Sequence, residues 1–280
     1  MQNVLPARWI KEWMQQRNIL PRCAAHHRHL NASLSWSVWH RSDGITLNGE
    51  WYCSLECLES SVTTALHAMR SASTRRFVRA LNRMPLGLML LQRGEISSRQ
   101  LRKALQLHAS TGQRVGECLL QIRATSETAI TTAVATQWAC AVFPSGSIQP
   151  GAAELIPRAL SLHHRMLPVH FAPASSSLFI AFSQRVDHTV LYAVEQILGL
   201  RTVPCLIEDS ILADHIEARR ELQTPSEIVV DTSSEPAEAA GIVRSYARQL
   251  RALSLRFVNC GEYRWFRIAG ERGHTDLLFR

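Results

Sequence analysis

The stretch of sequence that decides the fold reads PLGLMLLQRGEISSRQLRKALQLH, from Pro85 to His108. Its spacing returns as RVGECLLQIRATSETAITTAVATQ, from Arg114 to Gln137. In both copies the apolar residues recur at helical intervals, stop once at a turn, and resume after a serine. A pattern repeated in this way predicts two copies of one helix-turn-helix unit.

The turn and the restart of each copy have local explanations. Gly94 marks the turn in the first copy, and Arg123 stands at the equivalent position of the second. Ser97 and Ser126 follow these turns, and their hydroxyls suit the position that caps the start of a helix. Ser97 and Gln100 also have the spacing of a capping box. The serines therefore predict where the second helix of each copy begins.

Two glycines interrupt the apolar runs and need a reason. Gly87 and Gly116 lie inside predicted helices, where glycine costs about 1 kcal/mol relative to alanine. A position kept free of a side chain indicates that something approaches the backbone closely. Periodicity alone leaves open that the repeats are two αα-hairpins that pack into a core and have no further role.

The repeated motif resembles the N-terminal domain of the ATPases that drive type II secretion and type IV pilus assembly. The cyclic di-GMP-binding branch of that family, the MshEN domain, carries the tandem signature L-G-x-x-L-x-x-x-G-x-I-x-x-x-Q-L-x-x-A-L-x-x-Q. The stretch from Leu86 to His108 fits this signature nearly throughout, and the second copy fits it more loosely. Residues 159–211 also look like the rest of that domain, including Arg165 to Val169 and Leu178 to Phe182.

The resemblance implies a bacterial regulatory or docking protein that binds cyclic di-GMP through the tandem repeats, with secretion or pilus assembly proteins as partners. In this interpretation the leucines and Val115 supply apolar contacts, the glycines let the backbone close on the nucleotide, and Asp187 accepts a hydrogen bond from a guanine edge. Arginine can pair with a phosphate and stack on a base. The ligand positions implied by the resemblance are Leu86, Gly87, Leu90, His108, Arg114, Val115, Gly116, Leu119, Gln137 and Asp187.

Three positions depart from the family pattern. Pro85 stands where the first copy usually has arginine, His108 replaces glutamine, and Arg123 replaces the second glycine. Arg83 lies close to the first of these positions, while Arg114 keeps the arginine of the second copy. The departures favour an alternative function, a pure protein-interaction adaptor in which the repeats are only core.

The net charge and the sequence motifs limit which other functions are possible. The net charge of +8 at pH 7 comes almost wholly from arginine, which indicates anionic partners or a genome rich in G and C. A phosphate-binding P-loop needs Gly-Lys-Ser/Thr, but the only lysines are Lys11 and Lys103, and neither follows a glycine. The sequence also has no G-x-S-x-G motif and no dinucleotide fingerprint. We therefore expect a protein that is not an enzyme.

The cysteines predict a zinc site near the N-terminus. Cys23-x-x-His26 precedes Cys53-x-x-x-Cys57, and Asn48-Gly49 between them is a strong hairpin signal. Such a set of ligands suits a structural, tetrahedral zinc ion. The element Tyr52-Cys53-Ser54-Leu55-Glu56-Cys57 resembles a treble-clef zinc finger. His27 or His29 could replace His26, and an unmetallated thiol cluster is the alternative. A zinc-finger nucleic-acid binder is a further, weaker alternative, because no basic recognition helix is evident.

The predicted fold class is α+β, in several domains. No stretch reaches the roughly 20 apolar residues of a membrane span, and seven cysteines without a signal peptide indicate the cytoplasm. The adjacent His163 and His164 are predicted to lie at the surface or a boundary. The predicted segments are an amphipathic helix and zinc finger at 1–70, tandem helical repeats at 78–144, an α/β subdomain at 150–222, and a small α/β domain at 226–280 that looks like a degenerate second domain of the same ATPases.

Overall fold

The computed structural model describes residues 23–25, 44–72, 83–220, 226–231 and 235–280. These residues form helices and two sheets, so the predicted α+β class is confirmed. The predicted helix around residues 9–14 and the predicted joint near Pro225 lie outside the described residues. The chain divides into two compact units, one with the described parts of 1–74, 230–257 and 266–280, and one with those of 75–229 and 258–265.

The helices and strands take names in chain order. The helices are Leu55–Ala72 (α1), Leu86–Gln92 (α2), Ser98–Thr111 (α3), Val115–Gln121 (α4), Glu127–Trp138 (α5), Arg158–His164 (α6), His188–Leu198 (α7), Asp209–Arg220 (α8) and Pro236–Gln249 (α9). The strands are Ile45–Leu47 (β1), Glu50–Tyr52 (β2), Ala141–Val142 (β3), Leu167–Ala172 (β4), Ser177–Phe182 (β5), Arg201–Leu206 (β6), Glu227–Val230 (β7), Ala252–Cys260 (β8), Tyr263–Gly270 (β9) and Gly273–Phe279 (β10).

The tandem repeats fold as two helical hairpins, α2 with α3 and α4 with α5. Ser97 and Ser126 cap α3 and α5 by accepting hydrogen bonds from the backbone N–H groups of Gln100 and Ala129. The helix-turn-helix prediction is therefore confirmed for the described residues, including the serine caps. The two hairpins share one apolar core, made of Leu90, Ile96, Leu101, Ala104, Cys118, Leu119 and Ala133.

A four-stranded sheet follows the repeats in the same unit. Its strands run in the order β3-β6-β5-β4, with β3, β6 and β5 parallel and β4 antiparallel to β5. Leu167 and Val169 of β4 face a core that includes Leu212 and Ile216 of α8. The chain between α5 and α6 forms two short 3-10 turns, Ser145–Ser147 and Pro150–Leu155.

The other unit joins two distant parts of the chain. The hairpin of β1 and β2 pairs through β1 with β8 in parallel, and β9 and β10 continue the sheet. Helix α1 packs on α9, where Arg244 forms ion pairs of 2.8 Å with Glu56 and with Glu59. The sequence analysis placed residues 1–70 and 226–280 in different domains. The structure corrects this division, because β1 and α1 find their packing partners in the C-terminal segment.

Candidate functional sites

Two of the predicted ligand residues lie inside the repeat core. The side chains of Leu90 and Leu119 are 0% exposed and pack among the other core residues. Leu86 and Val115 are only partly buried and lie at the edge of the same cluster. Leu90 and Leu119 therefore use their apolar surface to hold the two hairpins together, and their contact with a ligand stays a prediction.

The two glycines of the motif have different surroundings. A Cβ atom at Gly87 would lie 2.6 Å from Cδ1 of Leu101, which belongs to the second helix of the same copy. A Cβ atom at Gly116 would lie 3.5 Å from Cδ2 of Leu86 and 3.7 Å from Cγ2 of Ile130, both ordinary van der Waals distances. What approaches the backbone at Gly87 is thus a neighbouring helix. Gly116 lies beside the first residue of α2.

The start of α2 lies next to the end of α5. The Nε2 group of Gln137 donates a 2.7 Å hydrogen bond to the carbonyl oxygen of Met84. The guanidinium carbon of Arg83 lies 3.3 Å from the centroid of the Trp138 ring. Two residues before the first copy therefore contact the last residue of the second copy and the residue that follows it.

This neighbourhood extends to the N-terminus of α7. The rings of Trp138 and His188 are 6.2 Å apart between centroids and inclined at 43°. His188 directly follows Asp187, another predicted ligand residue. Together with the contact between Leu86 and Gly116, these contacts place Leu86, Gly116 and Gln137 around the start of α2, with His188 beside Trp138. We call residues 83–86, 114–116, 137–138 and 187–188 the repeat junction.

Within the repeat junction, Asp187 already has intramolecular partners. Its Oδ1 atom caps α7 by accepting hydrogen bonds from the backbone N–H groups of Thr189 at 3.0 Å and Val190 at 3.4 Å. Its Oδ2 atom lies 4.0 Å from Nδ1 of His164. The carboxylate is 28% exposed, so only its outer lone pairs remain for a ligand.

His108 and Arg114 lie at the connection between the two copies. Nδ1 of His108 is hydrogen-bonded to the carbonyl oxygen of Gln113, the residue before Arg114. The backbone N–H of Arg114 donates to Oε2 of Glu117 at 3.1 Å, while its exposed side chain forms no ion pair with any described residue. The guanidinium of Arg114 is thus available to an anion, as the resemblance implies.

Sequence reasoning missed two arginine contacts of the junction region. The stack of Arg83 on Trp138 joins residues more than fifty positions apart, and no spacing rule connects them. Arg93 donates a 2.6 Å hydrogen bond from its guanidinium to Oγ1 of Thr136. The position of Trp138, directly after the last residue of the motif, is the one sequence signal that pointed to this place.

The linker of residues 144–151, which follows the repeats, is hydrogen-bonded to β4. The backbone N–H of Gln149 donates to the carbonyl oxygen of Val169 at 2.8 Å, and its side-chain oxygen accepts from the N–H of Phe171 at 3.0 Å. An open depression of about 430 Å³ lies beside the start of this linker, lined mainly by apolar residues that include Phe143, Phe179 and Pro204.

Three cysteines converge in the other unit. The Sγ atoms of Cys23, Cys53 and Cys57 all lie within 4.8 Å of one another, and those of Cys53 and Cys57 are 3.6 Å apart. The hairpin β1–β2 with its turn at Asn48 and Gly49 and the start of α1 bring them together, as predicted. None of the three forms a disulfide.

The spacing of the thiols fits a tetrahedral metal ion. Zinc–sulfur bonds of about 2.3 Å place two sulfur ligands roughly 3.8 Å apart in a tetrahedron. Cys23 and Cys57 are buried and Cys53 is half-buried, so the cluster is largely shielded from solvent. The predicted fourth ligand, His26, and its alternatives His27 and His29 lie outside the described residues. The structure therefore supplies three ligands of the predicted set.

The thiols influence the ionisation of one another. Burial raises the pKa of Cys23, but hydrogen bonds from the backbone of Cys53 and Ala25 and from the neighbouring thiols outweigh burial and leave this pKa below its ordinary value. Burial and the hydrogen bonds and charges of the two other thiols raise the pKa of Cys53 to about 12. A cation bound between them would remove this mutual repulsion, because metal binding favours thiolates.

The histidine pair lies at the surface and its boundary, as predicted. His163 is exposed, but the side chain of His164 is only 8% exposed. Nε2 of His164 lies 3.6 Å from Sγ of Cys260. Burial lowers the pKa of His164 and raises that of Cys260 to about 12, so both groups are neutral at pH 7. A neutral, buried thiol is not an activated nucleophile.

Comparisons with known proteins identified similar solved structures. No protein-family model matches the chain, and no curated protein is similar to it. A structure of MshE with cyclic di-GMP is 25% identical and covers 49% of this chain and 99% of the MshE chain, with a TM-score of 0.42. One crystal form of the N-terminal domain of XpsE is 17% identical and covers 47% of this chain and 91% of that chain, with a TM-score of 0.36. A second crystal form is 19% identical and covers 46% and 89%, with a TM-score of 0.29.

Among the described residues, no helix combines the length and the apolar character needed to cross a membrane.

Proposed function

We propose that this chain is a non-catalytic, cytoplasmic regulatory or docking module of a type II secretion or type IV pilus-like system, and that its repeat junction binds cyclic di-GMP. The observation that carries this proposal is the convergence of the motif residues Leu86, Gly116 and Gln137 at the start of α2. These residues come from three separate segments, and the contacts described above connect them.

The charges of this region suit a dianionic nucleotide. Arg83 stacks on Trp138 and Arg93 contacts Thr136, so two cations flank the C-terminal end of α5. Arg114 adds an exposed cation two residues from Gly116. Arginine presents several N–H donors in a plane, which matches the oxygens of a phosphate better than lysine does. The net charge of +8 would also favour the approach of an anion.

Calorimetric titration with cyclic di-GMP, with GTP as the control nucleotide, tests the proposal. We expect micromolar or tighter binding of cyclic di-GMP only. Arg114→Ala should weaken binding about tenfold or more, because a charge-assisted hydrogen bond contributes roughly 1.5–3 kcal/mol. Arg102→Ala is the matched control, since Arg102 is exposed on α3 and holds no predicted ligand position. Equal affinities of the two variants would remove Arg114 from the site.

A second candidate function is a protein-interaction adaptor without a nucleotide. The burial of Leu90 and Leu119 and the capping role of Asp187 favour it, because these residues already have structural roles. If titration with cyclic di-GMP produces no heat, the protein-interaction adaptor remains as the function. Selective binding of the nucleotide would exclude the adaptor.

We also propose that Cys23, Cys53 and Cys57 hold a structural zinc ion. The support is the set of three cysteine thiols within 4.8 Å of one another in a turn-hairpin-helix arrangement. Bound zinc would supply folding energy at the edge of the sheet that contains β1. No open position for catalysis is required of such a site.

Metal content and thermal stability together test the zinc site. Cys53→Ser should reduce bound zinc far below stoichiometric levels and lower the melting temperature. Cys140→Ser is the matched control, because Cys140 is half-buried and lies outside the cluster. Purified wild-type protein without zinc, and with a melting temperature that chelators leave unchanged, would contradict the proposal.

A further inference from the structure

An aromatic and cationic surface lies in the repeat junction, and no position of the repeated motif accounts for it. Arg83 covers the ring of Trp138 at 3.3 Å, the distance of a direct stack. The ring of His188 faces the same indole at 6.2 Å and 43°. The three residues come from the start of α2, the end of α5 and the start of α7.

These groups are accessible to a ligand. Arg83 and Trp138 are half-buried and His188 is exposed. Tyr192 follows His188 by one helical turn on α7 and is 60% exposed, so it extends the aromatic surface. No described residue accepts a hydrogen bond from the guanidinium of Arg83, whose N–H groups are therefore free to bind an acceptor.

The chemistry of this surface selects a planar, negatively charged partner. Indole and guanidinium planes both stack on nucleobases, and they do so largely without regard to base identity. A guanidinium that lies over an indole can keep its contact with the ring while its N–H groups pair with a phosphate beside the base. A purine nucleotide combines the aromatic face and the anionic oxygens that this arrangement can contact.

We propose that Trp138, with Arg83 and His188, forms a base-stacking subsite for the purine of a bound nucleotide. This proposal rests on the proposed function, since cyclic di-GMP is the nucleotide concerned. It assigns the discrimination between an aromatic base and a bare phosphate to residues outside the repeated motif. Arg114 then binds phosphate, and the stack of Arg83 on Trp138 holds a base.

The experiment compares four full-length proteins by calorimetric titration with cyclic di-GMP. Trp138→Leu removes the aromatic face and should weaken binding between about 5-fold and 100-fold, which is the loss of one base stack of about 1–3 kcal/mol at 1.4 kcal/mol per tenfold. Trp138→Phe keeps a ring and should stay within about 3-fold of the wild type. Tyr246→Leu, an aromatic change on α9 in the other unit, should bind as the wild type does.

A spectroscopic measurement separates stacking from a merely structural role of Trp138. Nucleotide binding should quench indole emission in the wild type, and the quenched component should be missing from Trp138→Phe although that variant still binds. His188→Leu provides a second test on an exposed side chain that is not part of the core. It should weaken binding several-fold without changing the melting temperature.

The outcomes distinguish the two proposals. If the wild type binds cyclic di-GMP and both Trp138→Leu and His188→Leu bind equally well, the stacking subsite is wrong and the proposed function stands. If the wild type binds no cyclic di-GMP, both proposals are wrong. Weaker binding by Trp138→Leu with retained binding by Trp138→Phe supports the subsite.

Discussion

The two copies of the repeat reach the same fold with different residues. At the turn, Gly94 has a φ of 74° and Arg123 has a φ of 49°, so both adopt the left-handed conformation. Gly94 does so without strain, whereas a side chain in this region costs about 1–2 kcal/mol. The geometry of the turn is thus fixed by the packing of the hairpin, and the second copy tolerates a poorer residue there.

The copies differ more at their C-terminal ends. His108, the last residue of the first copy, forms a local hydrogen bond with the carbonyl oxygen of Gln113. Gln137, the last residue of the second copy, donates a hydrogen bond to the carbonyl oxygen of Met84, which lies just before the first copy. The repeat is therefore symmetric in its core and asymmetric at its ends. The asymmetric end is where the junction with its arginines and aromatic rings is found.

The largest expected difference between the copies concerns the glycines of their first helices, Gly87 and Gly116. Gly87→Ala should destabilise the repeats by up to about 2 kcal/mol, because the new Cβ would lie 2.6 Å from Leu101 and the cost of overpacking exceeds the gain in helix propensity. Gly116→Ala should be neutral or stabilising by up to about 1 kcal/mol, since its Cβ meets ordinary distances. Native-state hydrogen exchange of the amides in α2 to α5 measures both. Equal effects would show that the two glycines have the same role after all.

Substitutions at the two turn residues should change the stability of the repeats by smaller amounts and in opposite directions. Gly94→Ala should cost about 1 kcal/mol, because nothing lies within 4 Å of the new Cβ and only the left-handed backbone opposes it. Arg123→Gly should stabilise the repeats by about 0.5 kcal/mol, since the relief of strain slightly exceeds the entropy that glycine adds to the unfolded chain. The same exchange measurement applies. A loss of stability in Arg123→Gly would indicate that the arginine side chain contributes a contact that outweighs its strain.

The sequence predicted the parts of the molecule that local rules control. Ser97 and Ser126 cap their helices because the capping rule depends only on neighbours along the chain. The hairpin at Asn48 and Gly49 and the approach of Cys53 to Cys57 also follow from short spacings. Cys23 is more distant along the chain, and its place in the cluster was predicted from the usual spacing of zinc ligands.

Contacts between segments distant in sequence could not be predicted from such local rules. The pairing of β1 with β8 depends on the exposed edge of a sheet that forms only when residues 252–279 fold. The stack of Arg83 on Trp138 depends on how two helical hairpins meet, and the burial of Leu90 depends on the same packing. A motif identifies which residues recur, but the core determines which of them remain available to a ligand.

The smallest expected effect concerns the capping box that α3 of the first copy has and α5 of the second copy lacks. Oε1 of Gln100 accepts the backbone N–H of Ser97 at 2.8 Å, whereas alanine stands at the equivalent position, Ala129. Gln100→Ala should therefore lower the stability of the repeats by roughly 0.5–1 kcal/mol, the net value of an ordinary hydrogen bond. Gln106→Ala, on the same helix but exposed and uninvolved in the cap, should change the exchange of α3 amides much less. If the two variants exchange alike, the reciprocal hydrogen bond of Gln100 adds nothing to the serine cap, and the two copies are equally well capped despite their different sequences.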